Sequence, residues 1–147
     1  MLRHSGHIDI EKPLQLVSGL FIDANNLKEW QEGFVKKELI RGTANTIGAV
    51  SVLYYKNKKY EMELVETITS NRLPYSFEVS YSHKHMDNTM KYVFTALNGK
   101  RTRYEYHAAY TRIDWIMPRL FSNLFPSMYT KPGARWMKNF KSFAEKQ

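Results

Sequence analysis

The 147-residue chain contains no cysteine. That absence excludes a disulfide scaffold, thiolate metal sites and cysteine nucleophiles together, and it is compatible with a cytoplasmic location. The opening MLRHSGHIDIEK lacks the apolar core of a signal peptide, and no run approaches the roughly 18 apolar residues of a membrane span. No GxSxG elbow supports a nucleophilic serine, and TKPGAR lacks the pattern of a phosphate-cradling loop, so nucleotide-dependent chemistry is not expected. Metal chemistry would have to rest on histidines and carboxylates. HSGH and HKH supply His4, His7, His83 and His85, but no third or fourth ligand follows at a suitable spacing. They read as terminal and turn histidines, and neither a metal nor a cofactor is expected. Internal repeats, low-complexity tracts and linkers are also missing, so residues 1–147 read as one domain.

Wide, flat side chains are abundant: the chain carries 10 Tyr and 8 Phe, and 43% of it is apolar. Such residues suit a cavity wall as well as a core. Lys plus Arg outnumber Asp plus Glu by 22 to 14, a net charge of +8, which makes nucleic acid or an anionic membrane surface a conceivable partner. The positive residues are spread out, however, with small concentrations at Lys56, Lys58 and Lys59, at Lys100, Arg101 and Arg103, and from Lys131 to Lys146. A solvated basic surface and a binding stripe both fit that distribution.

HIDI reads as a short strand, and EKPLQLVSGLFIDANNLKEW as two short helices broken near DANN, with Pro13 in a first turn. GFVKKELIRG predicts a strand ending at Gly42, and NTIGAVSVLYY another. From there VSVLYY, YEMELVETIT, YSFEVSYS, TMKYVFTAL and RTRYEYHAAYTRI alternate with turns at KNKK, SNRLP, HKHMDN and NGK. Asn98-Gly99 is the strongest hairpin signal among them, and the whole reads as an antiparallel meander. The tail opens on a segment punctuated by Pro118 and Pro126. An amphipathic helix then runs from Pro132, with Trp136, Met137, Phe140, Phe143 and Ala144 on one side and Lys138, Lys141 and Lys146 on the other.

Strand residues two apart share a face. Tyr75, Phe77, Val79 and Tyr81 fall together, as do Met90, Tyr92, Phe94 and Ala96, and Met62, Leu64 and Ile68. Tyr104, Tyr106 and Tyr110 extend the same phase, whereas His107 points to solvent. The aromatics and most of the Lys and Arg are separated by the pleat, so a base-stacking nucleic-acid platform is not expected. The final helix must cover the aromatic face. A curved sheet wider than one helix leaves room for a small hydrophobic guest, while a fully packed core is the alternative. Glu66 is in phase with Met62, Leu64 and Ile68. Desolvation there would raise its pKa and make it a candidate general acid or base, or it serves structure by accepting from a buried Tyr or Trp. Trp30 reads as a core cap and Trp136 as a pocket-mouth residue. Met117, Leu120, Phe121, Leu124, Phe125 and Met128 form an apolar patch suited to an adaptable lid.

In order and spacing, the KP that opens the first helix, NNLKEWQEGF, IGAVSVLYY, YEMELVETI followed by LPYSFEVSY, LNGKRTRYEYHAAY and the final WMKNFKSFAEK resemble the START-like, or helix-grip, superfamily. This is the polyketide cyclase/dehydrase and lipid-transport group (SRPBCC) that includes pollen-allergen-like proteins and many small bacterial ones. The resemblance implies an α+β fold: a curved seven-stranded antiparallel sheet gripping a long C-terminal helix, with two short helices after the first strand. It implies a cavity for lipids, sterols or polyketides, in a carrier or in a cyclase- or dehydratase-like enzyme. The prolines of the tail predict a more broken last connection than one long helix. The candidate lining is Tyr54, Met62, Leu64, Glu66, Phe77, Tyr81, Tyr92, Phe94, Tyr106, Tyr110, Phe121, Met128, Trp136 and Phe140. The expected partner is a small hydrophobic molecule, with transient membrane contact allowed and, as the rival, an interaction module that uses its basic surface on an acidic partner, a membrane or nucleic acid.

Overall fold

The computed structural model describes residues 2–58, 61–114 and 125–147, apart from the side chains of 125–132. The elements run β1 (Leu2–Ile10), α1 (Leu14–Ile22), a 3-10 turn (Ala24–Asn26), α2 (Leu27–Trp30), β2 (Phe34–Arg41), β3 (Val50–Lys56), β4 (Glu61–Arg72), β5 (Ser76–His83), β6 (Met86–Asn98), β7 (Arg101–Ile113) and α3 (Phe125–Glu145). The seven described strands join one antiparallel sheet in the order β1-β7-β6-β5-β4-β3-β2. The meander places β3 to β7 side by side, and the helical excursion between β1 and β2 puts those two strands at opposite edges. Asn98-Gly99 turns β6 into β7 as expected, and Asn98 Oδ1 accepts from the Lys100 amide at 2.8 Å.

Bulges bend the sheet where a strand carries an extra residue: twice in β2 against β3, once in β4 against β5, and twice between β6 and β7. The concave face so formed holds the core. Phe21 of α1 meets the rings of Trp30, Phe77, Tyr92, Phe94, Tyr104 and Phe140, all within 6.3 Å between centroids. The end of α3 is tied to β1 and its exit: Lys141 Nζ donates to the Asp9 carbonyl at 2.6 Å, and Glu145 accepts from the Glu11 amide at 2.8 Å.

Four local expectations are corrected. β1 begins at Leu2 rather than at His7, because the residues before HIDI continue the pairing with β7 and fix His4 in the sheet. The last helix begins at Phe125 rather than Pro132. Pro126 occupies its first turn, where no backbone N–H is needed, and the helix continues through Pro132. Tyr75 precedes β5 in a turn and is 65% exposed, so it does not share the face of Phe77. Tyr54 lies on the outer face, and Tyr55, 3% exposed, takes the inward position, because Ser51, Leu53 and Tyr55 are the buried phase of β3.

Glycine has a steric role at one strand pairing. A Cβ on Gly6 would come within 2.9 Å of the Tyr106 ring, and one on Gly133 of α3 would reach that ring from its other side at 3.4 Å. Tyr106 therefore lies in a slot between β1 and α3, and its hydroxyl meets His4 Nδ1 at 2.7 Å.

Candidate functional site

Register places five polar side chains in one line across the concave face. Ser51 of β3 stands opposite Glu66 of β4, Glu66 opposite Tyr81 of β5, Tyr81 opposite Asn88 of β6, and Asn88 opposite Tyr110 of β7. Ser51, Glu66, Asn88 and Tyr110 are buried and Tyr81 is half-buried. The rows on either side are apolar: Leu53 and Leu64 on one, Ile68, Val79, Met90 and Ala108 on the other. A polar line has been built into an oily wall.

Glu66 is its focus. Tyr81 Oη donates to Glu66 Oε2 at 2.9 Å, and Lys37 Nζ lies 2.9 Å from Glu66 Oε1. The Lys37 side chain is 20% exposed and that of Glu66 is 6% exposed, so the pair sits where charge is costly. Lys37 comes from the edge strand β2, where it pairs with the inward Leu53 and reaches across β3. Phe34 and Lys37 are three residues apart, and they share the inner face because of the bulge between Phe34 and Lys36.

The phenols respond to this setting. Burial, then the charge of Glu66, pushes the Tyr81 hydroxyl well above the ordinary tyrosine range. Burial also pushes up Tyr92, against the opposing effect of its hydrogen bond with Tyr81, and Tyr104 rises for the same first cause. Because these folded-state values lie above that of an unfolded tyrosine, the neutral hydroxyls contribute stability that is fully present below about pH 10 and lost as pH climbs from there. Alkaline absorbance titration is expected to leave these three tyrosines silent until the protein unfolds. Ionisation of all tyrosines in one step near pH 10, without unfolding, would contradict their burial.

Beside the polar line stands an aromatic wall. Tyr55 donates to Gln31 Oε1 at 2.7 Å and stacks on Trp136, with ring centroids 5.6 Å apart and planes at 19°. Trp136 meets Trp30 edge to face, and Trp30 meets Phe140 likewise. A groove of about 810 Å³ along the rim is lined from both faces of the sheet, by Tyr55, Met62 and His83 and by Lys36, Tyr54 and Val65 among others.

The candidate residues are distributed as follows. Met62, Leu64, Glu66, Phe77, Tyr81, Tyr92 and Tyr110 share the concave face, while Phe94, Tyr106 and Phe140 are packed in the core. Trp136 is half-buried against Tyr55. Tyr54 is apart from these: it donates to Glu38 at 3.3 Å, with Lys36 Nζ 4.8 Å from its ring centre. Phe121 and the rest of the apolar patch from Met117 to Leu124 lie outside the described residues, as do the side chains of Phe125 and Met128. Sequence reasoning missed Lys37, Ser51, Asn88, Gln31 and Tyr55. Ser51 and Tyr55 were recoverable from the phase set by Leu53, but nothing in KK announces which lysine turns inward.

Of the histidines, His4 contacts Tyr106 and His107 is exposed, while His83 and His85 face each other at the β5–β6 turn, 5.8 Å between ring centres. Burial, then His85, Arg112 and Lys84, holds His83 below its usual range. Among the described residues no three His, Asp or Glu side chains are grouped to hold a metal ion. Nor is any described helix long and apolar enough to cross a membrane.

A bent seven-stranded antiparallel sheet closed over a C-terminal helix, with two short helices after its first strand, is the START-like helix-grip fold. No family model matches the chain and no curated protein matches it. Solved structures do. The ZhuI aromatase/cyclase of Streptomyces sp. R1128 superposes with a TM-score of 0.80 at 9% identity, covering 98% of this chain and 93% of that one. Ara h 8.0201 gives 0.77 at 10% identity over 99% of both chains. A START superfamily protein from Mycobacterium smegmatis gives 0.75 at 7% identity, over 98% and 97%. At these identities the likeness establishes the fold.

Proposed function

We propose that the protein binds a small hydrophobic molecule, such as a lipid, a sterol-like or a polyketide-like compound, between the curved sheet and α3. The Glu66–Tyr81 pair holds the polar part of that molecule. The observation that carries this reading is the buried polar line with its Lys37–Glu66 ion pair. A core that only needed stability would gain by filling those positions with apolar side chains, since a buried ion pair is a poor source of stability. A carboxylate has about four lone-pair sites, and Lys37 and Tyr81 take one each, which leaves acceptor capacity for a guest hydroxyl. Apolar burial at roughly 25 cal/mol per Å² supplies the affinity, and the polar line supplies orientation.

The helix-grip neighbours named above include an aromatase/cyclase, and the same Glu66–Tyr81 pair would serve a cyclase- or dehydratase-like reaction, with Glu66 as base and Tyr81 as proton donor. The absence of cysteine fits work in the cytoplasm, with loading at a membrane as a transient event.

The test is titration of the wild type and of Tyr81→Phe with a fluorescent fatty acid and with an aromatic phenol. The wild type is expected to bind at least one of them with little change between low and high salt. Tyr81→Phe is expected to weaken that binding about tenfold, the worth of a hydrogen bond to a charged group. Steep salt dependence, with Tyr81→Phe without effect, would transfer the function to the basic surface.

A further inference from the structure

Among the described residues, one buried side-chain donor goes unused, and it lies in the core between the helices and the sheet. Trp30 is 4% exposed, and its indole Nε1 is a buried polar atom with no hydrogen-bond partner among the described residues. Two polar groups on the same stretch bond elsewhere: Gln31 Oε1 accepts from the Tyr55 hydroxyl at 2.7 Å, and the Trp30 carbonyl accepts from Asn139 Nδ2 at 3.3 Å. The ring itself is surrounded by carbon. Phe21 stacks on it at 5.6 Å, and Phe140 and Trp136 meet it near a right angle at 5.3 and 6.4 Å. An aromatic face is a much weaker acceptor than an oxygen, and leaving a buried N–H without one costs stability. Phenylalanine at this position would carry no polar atom to leave unpaired.

We infer that Trp30 Nε1 is a ligand-recognition donor, and that the molecule bound between sheet and α3 carries a neutral acceptor oxygen, a ketone or comparable carbonyl, which this N–H engages. The inference rests on the cavity reading above and narrows it. A plain hydrocarbon chain leaves the donor unused, whereas a carbonyl-bearing ring system satisfies it. The guest is then held at two chemically distinct places: a carbonyl at Trp30 on the helical wall, and a hydroxyl at Glu66 on the sheet.

The test uses a shape-matched pair of probes, 9-fluorenone and fluorene, which differ by one carbonyl. Wild-type protein is expected to bind fluorenone about tenfold more tightly, the worth of one hydrogen bond that relieves a buried orphan donor. In Trp30→Phe that preference is expected to vanish, through loss of fluorenone affinity with far less change for fluorene. In nitrogen-15 spectra of the wild type, the Trp30 indole N–H resonance is expected to move downfield with fluorenone and not with fluorene, a readout that needs no variant. Equal affinity of the wild type for both probes, or a fluorenone preference that survives Trp30→Phe, overturns the inference and leaves the cavity standing. A wild type that binds neither probe counts against the cavity, and the inference falls with it.

Discussion

Phe140→Ala is expected to lower unfolding stability by about 3–5 kcal/mol, the range for emptying a large aromatic site that cannot collapse. Phe140 is fully buried at the point where α3 meets α1, α2 and the sheet. It meets Phe21 at 87° and Trp30 at 73°, and lies 5.6 Å from Tyr104. Tyr104 belongs to a strand fixed by pairing on both sides, and α3 is tied to the exit of β1 through Glu145 and Glu11, so the cavity would persist. Phe143→Ala, at a partly buried position of the same helix, is the control and is expected to cost less. Urea denaturation with both variants measures the difference. A loss below about 1 kcal/mol for Phe140→Ala would mean that α3 does not close the core as described.

Lys37→Met is the second large effect, expected at about 2–4 kcal/mol. Removing one member of a buried pair leaves the other charged in an apolar wall, and the partial exposure of Lys37 discounts the figure for a fully buried pair. The double variant Lys37→Met/Glu66→Leu is expected to recover most of the loss, because it removes both charges and extends the apolar rows through the polar line. If the double variant is as unstable as the single one, the pair is a structural requirement of the sheet. If it is stable and binds no ligand, the pair is kept for recognition.

Much of this was legible in the chain. Alternation between the bulges of β4, β6 and β7 marked most of the residues that face inward, because one face of each strand is mainly apolar or aromatic; Glu66 stood out there as the one carboxylate in phase with Met62, Leu64 and Ile68. What escaped was whatever depends on an irregularity or on a distant partner. The bulge in β2 rotates Lys37 inward, and alternation cannot register an added residue. Consecutive tyrosines at 54 and 55 give no phase by themselves, although Leu53, two residues before Tyr55, carried the signal that turns Tyr55 inward. Asn88 is buried because it falls between Tyr81 and Tyr110, strands far apart in sequence from each other. Prolines in the tail were read as breaks, yet Pro126 falls in a first turn, where it starts a helix as readily as it would stop one.

The most direct test of ligand binding is native mass spectrometry of the protein purified from cells, followed by solvent extraction and identification of what is released. A reproducible excess mass that disappears on extraction, carried by the wild type and diminished in the Lys37→Met/Glu66→Leu variant, is the expected result. A bare mass that stays bare after incubation with fatty acids, sterol-like compounds and aromatic polyketides would contradict it, and would make the space between the sheet and α3 a filled core.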